Sequence, residues 1–132
     1  MSEQNKEIVR KALAALGQGD MEGFVADAAD DFSFTLIGNT PLSGTIQGKQ
    51  TVQEGLQNIL GPRLATPGIE MEIESLIAEG NFVSEQSKGT ARTKAGKDYN
   101  NTYSRVWKIV DGKVQACTEY LDTELVRNAL CD

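Results

Sequence analysis

The segment that most constrains the fold runs from Tyr99 to Asp122 and reads YNNTYSRVWKIVDGKVQACTEYLD. Two runs of strand-like alternation flank the dipeptide Asp111-Gly112. An Asp-Gly pair between such runs is a strong signal for a tight reversal, because glycine adopts positive φ without a steric clash. The segment therefore predicts a long antiparallel β-hairpin against which the other elements pack.

One face of the predicted hairpin mixes aromatic, amide and charged side chains. Because side chains in a strand alternate between the two faces, the odd-numbered residues share one face. That face carries Tyr99, Asn101, Tyr103, Arg105, Trp107, Gln115, Cys117 and Glu119. A core that only needs to be filled would use aliphatic residues, so polar groups among aromatic rings indicate the wall of a ligand pocket.

Length and composition fit one domain spanning residues 1–132. Hydrophobic residues make up 39% and charged residues 24% of the chain, which is typical of a globular protein that buries a core without disulfides. The formal net charge of −6 disfavours nucleic acid or an anionic membrane surface as a partner.

Neither a targeting segment nor a membrane span is expected. The opening residues, MSEQNKEIVRK, lack the apolar core of a signal peptide, and no run approaches the roughly 20 apolar residues of a membrane helix. Cys117 and Cys131 indicate free thiols of a reducing compartment. We therefore expect a cytoplasmic protein.

The sequence contains no histidine. This removes Ser-His-Asp triads, Cys-His pairs, imidazole acid–base catalysis and the usual zinc sites from consideration. We accordingly expect chemistry that uses neither a metal nor a cofactor.

Local patterns predict a chain of helices followed by strands. Apolar spacing and capping residues predict four helices, covering residues 2–16, 20–28, 49–60 and 123–130. Period-two alternation predicts strands at residues 32–37, 69–77 and 82–93 and in the two arms of the hairpin. This order predicts an α+β fold, in which a strongly curved antiparallel or mixed sheet wraps on the N-terminal helices to form a cone with an internal cavity.

Four short motifs carry a family resemblance. They are G-K-x-x-V at 48–52, Y-x-N-x-Y at 99–103, D-G-K-V at 111–114 and E-Y-x-D at 119–122. With the two starting helices, they resemble the SnoaL-like, ketosteroid isomerase-like branch of the nuclear transport factor two-like superfamily over essentially the whole chain. The fold of that superfamily hosts enzymes, binders and association modules.

The resemblance implies an acid–base role for Glu119, since polyketide cyclases and limonene epoxide hydrolases of similar fold use an acidic residue in the last strand. The Arg-x-Asp pair of the epoxide hydrolases is replaced by Gln86 and Lys88, so the second carboxylate of their triad is missing, which counts against epoxide hydrolysis. Leu36 stands where ketosteroid isomerases place an aspartate, and the first helix has no tyrosine. Steroid isomerisation is therefore not expected.

The role of Glu119 depends on its distance from Arg105. A carboxyl group in an apolar hollow is suited to removing a proton beside a carbonyl, whereas one paired with a cation is a permanent anion that orients a ligand or holds structure. Tyr103, Tyr99 and Asn101 are candidate donors to a developing oxyanion.

Three hypotheses follow. The first is a cofactor-free acid–base enzyme of isomerase, cyclase or lyase type acting on a small apolar carbonyl compound, with Glu119, Tyr103 and Arg105 as catalytic residues. The ligand-binding residues would be Asn101, Trp107, Tyr99, Phe34, Leu36, Gln86 and Cys117. The second is a non-catalytic binder of a hydrophobic small molecule. The third is an association module whose outer sheet face pairs with a second copy, and we expect a homodimer through this sheet.

Overall fold

The computed structural model describes residues 2–131, which form helices and one mixed sheet. The helices are α1 (Ser2–Gly17), α2 (Met21–Phe24), α3 (Lys49–Leu60) and α4 (Thr123–Leu130). The strands are β1 (Ala28–Leu36), β2 (Gly44–Gln47), β3 (Glu70–Glu79), β4 (Phe82–Thr90), β5 (Thr102–Val110) and β6 (Lys113–Leu121).

The sheet has the order β2-β1-β6-β5-β4-β3. Neighbouring strands are antiparallel except β1 and β6, which run parallel and are connected through β2, α3 and the strands β3 to β5. The curved sheet wraps the helices, so the predicted α+β cone is confirmed.

The β5–β6 hairpin forms as predicted. Asp111 and Gly112 both have positive φ, 51° and 78°, as a two-residue turn of type I′ requires. A bulge shifts the register between Lys108 and Ile109, and it changes which β6 side chains face inward. The prediction that Gln115 lies on the buried face is therefore wrong, and Val114 is buried instead.

Two predicted bounds near the N-terminus were wrong, the end of α2 at residue 28 and the start of the first strand at residue 32. The helix α2 ends at Phe24, although apolar spacing predicted helix to about Ala28. Ala28 instead begins β1 and pairs with Val114 of β6, and the amide of Val114 donates to the carbonyl of Asp27 over 2.8 Å. Pairing with a distant strand thus overrides a weak local helical preference.

The strand β2 was not predicted, because its residues follow a loop rich in glycine, proline and serine. It is four residues long and lies at the edge of the sheet, paired only with β1. Short edge strands depend on their partner more than on their own propensity.

The core lies between the helices and the concave face of the sheet. Buried side chains from every helix and from the inner strand face share one cluster, which includes Val9, Phe24, Val52, Trp107 and Val126. No helix within residues 2–131 is both long and apolar enough to cross a membrane.

Candidate functional site

A cavity lies between the concave face of the sheet and the helices. The volume in which a water molecule can be centred is about 60 Å³. The total space not filled by protein atoms, including the open mouth, is about 640 Å³. Its wall is mostly apolar and consists of Leu16, Phe24, Phe34, Leu36, Leu42, Gly44, Ile46, Leu56, Ile59, Leu60, Ile69, Tyr99, Tyr103, Arg105, Glu119 and Leu130. The enclosed part has room for a few water molecules or a small guest.

The cavity wall includes six of the residues that the sequence suggested for a site: Glu119, Tyr103, Arg105, Tyr99, Phe34 and Leu36. The other four, Asn101, Trp107, Gln86 and Cys117, do not line it. The polar groups of the wall all come from β5, β6 and the segment before β5, because these strands lie side by side in the middle of the sheet.

Arg105 lies at the centre of a buried ionic cluster. Its Nε donates to Oε1 of Glu119 over 2.7 Å, and its Nη1 donates to Oε2 of Glu85 over 2.7 Å. The register places the three residues opposite one another on β4, β5 and β6. Glu119 is therefore paired with Arg105, which by the criterion of the sequence analysis favours an anion that orients a ligand or holds structure, and among the described residues the pairing engages its Oε1.

Glu85 is the functional residue that the sequence analysis missed. It is fully buried behind the cavity wall and accepts hydrogen bonds from Arg105, from Ser87 Oγ and from Trp107 Nε1, the last over 2.9 Å. A buried carboxylate needs such partners, since an unpaired buried charge is very costly. Glu85 thereby fixes the guanidinium of Arg105 from behind.

The assignment of Gln86 and Lys88 to the inner face of β4 was wrong by one residue. The inner face carries Val83, Glu85 and Ser87. Gln86 lies on the outer face, where its amide contacts serine hydroxyl groups of β3, β4 and β5, and Lys88 is exposed.

This error has a chemical consequence. A one-residue change of phase exchanges every inward and outward side chain of a strand. The pairing of Val83 with Trp107 would have revealed the correct phase, because both residues are apolar. A second buried carboxylate, that of Glu85, does lie on β4, but it does not reach the cavity, so the absence of a second carboxylate at the cavity stays a prediction.

Tyr103 carries an unpaired hydroxyl group. Its ring stacks on the guanidinium of Arg105, with 4.3 Å between Cζ and the ring centroid. The residue is 2% exposed, and its Oη makes no hydrogen bond in the described part of the chain. The hydroxyl groups of Tyr99 and Tyr103 lie close enough for each to influence the pKa of the other as a weak hydrogen bond would, but the contact falls outside regular hydrogen-bond geometry. Buried polar groups are nearly always paired, so this one indicates a site for a partner.

Asn101 acts as a structural clamp. Its Nδ2 donates to the hydroxyl of Tyr99 over 3.2 Å and to the carbonyl of Asp122 over 3.1 Å. Its Oδ1 accepts from the amides of Thr102 and Asp122. The amide of Asn101 is thus used to join the start of β5 to the end of β6, and its role in ligand binding stays a prediction.

Trp107 and Cys117, which the sequence analysis gave as ligand-binding residues, also lie outside the cavity wall. Trp107 packs against Phe24, with 6.0 Å between the ring centroids, and its Nε1 is bound to Glu85, so it supports the wall from behind. Cys117 is a buried free thiol beside Arg105. Neither side chain is placed to contact a guest in the cavity.

The environment fixes the protonation of several groups. Burial alone would lower the pKa of Arg105, but Glu119 and Glu85 outweigh burial and raise it, so the guanidinium is permanently charged. Burial raises the pKa of Tyr103 well above its ordinary value of 10.0, and burial also raises the pKa of Tyr99. Both phenols are therefore donors at neutral pH. Within residues 2–131, no group of three Cys, Asp or Glu side chains is arranged to hold a metal ion.

Residues 9–116 match the family model of the SnoaL-like domain. The chain belongs to the SnoaL-like family. This SnoaL-like chain also has the nuclear transport factor two-like fold of its structural neighbours. Comparison with curated proteins gave no match.

Solved structures of similar fold cover nearly the whole SnoaL-like chain. An NTF2-like protein from Burkholderia xenovorans LB400 has 25% identity, a TM-score of 0.77 and 98% coverage of both chains. An NTF2-like protein of unknown function from Burkholderia pseudomallei K96243 has 18% identity, a TM-score of 0.85 and 98% coverage of both chains. An LEH-like epoxide hydrolase from M. tuberculosis has 19% identity and a TM-score of 0.79, with 98% of this chain and 90% of that chain covered. These similarities show the fold that the chain shares with them.

Proposed function

We propose that this SnoaL-like protein is a cofactor-free acid–base enzyme of isomerase, cyclase or lyase type that acts on a small apolar carbonyl compound. In this proposal Glu119 transfers the proton, Tyr103 donates to the carbonyl oxygen, and Arg105 positions Glu119. The apolar wall formed by Phe34, Leu36 and their neighbours holds the body of the substrate.

The observation that carries the proposal is that one cavity wall contains two polar atoms that make no regular hydrogen bond with the protein. Arg105 engages Oε1 of Glu119, whereas Oε2 accepts no hydrogen bond within residues 2–131 and belongs to a side chain that is 10% exposed. The hydroxyl of Tyr103 has no partner either within the same residues. Both side chains line the same hollow, on adjacent strands. The oxygen of a carbonyl compound would accept from the hydroxyl of Tyr103, and the carbon beside the carbonyl would then lie next to Oε2 of Glu119.

The chemistry follows from this arrangement. Oε2 of Glu119 takes a proton from the carbon beside the carbonyl, and the electrons of that C–H bond form an enolate. The hydroxyl of Tyr103 donates to the enolate oxygen, and a preorganised donor of this kind contributes about 2.7 to 4 kcal/mol. Glu119 then returns the proton to the substrate or to a leaving group.

A second candidate function is binding without turnover. It is favoured by the ion pair between Glu119 and Arg105, because the guanidinium holds the carboxylate in a fixed position from which it can orient a guest. In that case the same atoms orient a guest and no bond changes.

The test follows proton transfer directly, so the physiological substrate does not have to be identified first. Small ketones such as cyclopentanone and cyclohexanone are incubated with the protein in heavy water, and proton NMR measures loss of the signals beside the carbonyl. We expect the wild-type protein to accelerate this exchange and Glu119→Gln to slow it at least about 100-fold, with circular dichroism unchanged.

The matched control is Glu72→Gln, which removes an exposed carboxylate of β3. It should exchange at the wild-type rate. Exchange that is no faster with the wild-type protein than with Glu119→Gln would contradict the enzyme proposal. Saturable binding of the same ketones without exchange would support the binder instead.

We also propose a homodimer formed through the outer face of the sheet. Four large apolar side chains are exposed on the described surface: Ile77, Phe82, Val106 and Tyr120. Ile77 and Val106 flank Ser84 in one cross-strand row, so they form part of a continuous surface. Exposed apolar side chains grouped on a sheet face favour association.

We infer a cytoplasmic location as well. Cys117 and Cys131 are free thiols, as expected in a reducing compartment.

A further inference from the structure

The charged groups of the candidate site do not balance. Behind and within the wall there are one guanidinium, from Arg105, and two carboxylates, from Glu85 and Glu119. The other residues that line the cavity are apolar or uncharged. The formal charge of the site is therefore −1, although an arginine lies in its wall.

Part of the guanidinium of Arg105 is already used. Its Nε is bound to Glu119, one N–H of its Nη1 is bound to Glu85, and one of its faces is stacked on the ring of Tyr103. An arginine has five N–H donors and usually holds a carboxylate guest by two parallel hydrogen bonds. Glu119 occupies the Nε edge, and an anion that used the remaining N–H groups would lie beside two carboxylates.

The two unused atoms define what the guest has to offer. The hydroxyl of Tyr103 is buried and unpaired, so a guest that brings an acceptor to it is favoured. Oε2 of Glu119 is an acceptor without a donor among the described residues. A guest that brings a donor to Glu119 is favoured, and a guest that brings a second negative charge is repelled strongly, because the surroundings are apolar.

We infer that the cavity selects its guests by charge: it takes neutral or protonated-amine molecules, with a preference for those that also bring a hydrogen-bond donor to Glu119, and it excludes carboxylates. Glu85 sets this selectivity from behind the wall, because it neutralises Arg105 and leaves the charge of Glu119 uncompensated. The inference rests on the proposed function as a small-molecule site, and it names the chemical class that the site admits.

The experiment compares three compounds of similar shape. They are cyclopentanecarboxamide, which is neutral, cyclopentylmethylamine, which is a cation at neutral pH, and cyclopentanecarboxylate, which is an anion. Binding is followed by the amide NMR shifts of Tyr103, Arg105 and Glu119 during titration. In the wild-type protein we expect the carboxylate to bind at least about tenfold more weakly than the carboxamide, and the amine to bind at least as well as the carboxamide.

The decisive variant is Glu119→Gln, which removes the charge and keeps the shape. We expect this variant to bind the amine at least about tenfold more weakly than the wild-type protein does, and to bind the carboxylate at least about tenfold more tightly. Changes of opposite sign from one substitution are not produced by a general loss of packing. Glu85→Gln should also strengthen the carboxylate, and Glu72→Gln, an exposed carboxylate on β3, should leave all three affinities unchanged.

Each outcome decides the inference. Carboxylate binding as tight as carboxamide binding in the wild-type protein would overturn charge selection, while ketone exchange in heavy water would still test the enzyme separately. Failure of all three compounds to bind would overturn the inference as well. If Glu119→Gln changes the affinities for the amine and the carboxylate in the same direction, the residue has a packing role, and the inference is overturned too.

Discussion

The carboxylate of Glu85 lies 2.7 Å from the guanidinium of Arg105, and their side chains are 0% and 1% exposed. Arg105 in turn holds Glu119 at the cavity. Removing two charges from water is expensive, and the attraction between them offsets this cost only when the geometry is good and the remaining atoms are bonded. Glu85 meets that condition through Ser87 and Trp107, so the pair anchors the cavity wall.

The first prediction concerns this pair. Arg105→Met removes the guanidinium and leaves two buried carboxylates without a cation, so we expect the free energy of unfolding to fall by about 3 to 5 kcal/mol. Urea denaturation measures the change. Arg10→Met, which breaks an exposed pair with Glu7 on α1, should cost less than about 1 kcal/mol. A loss below about 1 kcal/mol for Arg105→Met would show that the cluster is not structurally important.

The second prediction separates the two buried tyrosines. Tyr103→Phe removes an unpaired hydroxyl, so stability should stay constant or rise by up to about 1 kcal/mol while ketone exchange slows. Tyr99→Phe removes the acceptor of a hydrogen bond from Asn101 and should lose about 1 kcal/mol. Thermal or urea unfolding of both variants provides the comparison. Equal destabilisation by the two substitutions would argue against an unpaired Tyr103 hydroxyl.

The third prediction tests the clamp at the start of β5. Asn101→Ala leaves the amide of Asp122 and the hydroxyl of Tyr99 without their partner, so we expect a loss of about 2 to 3 kcal/mol. Asn100→Ala is the matched control, because Asn100 is exposed and its side chain makes only one long contact, 3.4 Å, with the amide of Ala91. Similar losses for both variants would remove the clamp interpretation.

The fourth prediction is a loss of stability at alkaline pH. Burial raises the pKa of Cys117 well above 9.0 and that of Tyr103 well above 10.0, so the folded protein keeps protons that the unfolded chain releases. A group whose pKa is raised by folding contributes fully to the stability of the folded protein below its unfolded pKa. This contribution is lost as the pH rises from the unfolded pKa through the folded pKa. Stability should therefore decline from about pH 9 upward.

Urea midpoints at neutral pH and at about pH 10.5 measure this decline. Tyr103→Phe should make it shallower, because one of the retained protons is removed. Ile109→Val, a buried substitution that changes no ionisable group, should keep the wild-type slope. A decline that Tyr103→Phe leaves unchanged would exclude Tyr103 as its source.

The fifth prediction concerns the outer face of the sheet. If Val106 lies in a dimer contact, Val106→Lys should convert a dimer into a monomer at micromolar concentration, because an apolar contact is replaced by a charge. Light scattering determines the mass of both proteins. Lys94→Glu changes an exposed charge in the loop after β4 and should leave the mass unchanged. A wild-type monomer at these concentrations would contradict the dimer.

Elements whose signals are local were predicted well. The helix α4 has its predicted bounds because Asp122 caps it by accepting from the amides of Glu124 and Leu125. The hairpin turn was predicted because Asp111-Gly112 suits the required positive φ values. The strand β2 and the end of α2 were missed, since pairing with β1 and β6 decides them and no local signal competes with that pairing.

The sequence by itself determined the α+β architecture, the polar and aromatic inner face of the hairpin, and the presence of Glu119 and Arg105 on that face. Only the tertiary structure decided that Glu85, and not Gln86, faces inward to hold Arg105. In a polar strand such as β4, the alternation of residues alone does not show which of the two alternate sets of side chains faces inward. Its phase is fixed by pairing with β5, where Val83 meets Trp107 and a buried carboxylate meets the cation that it needs.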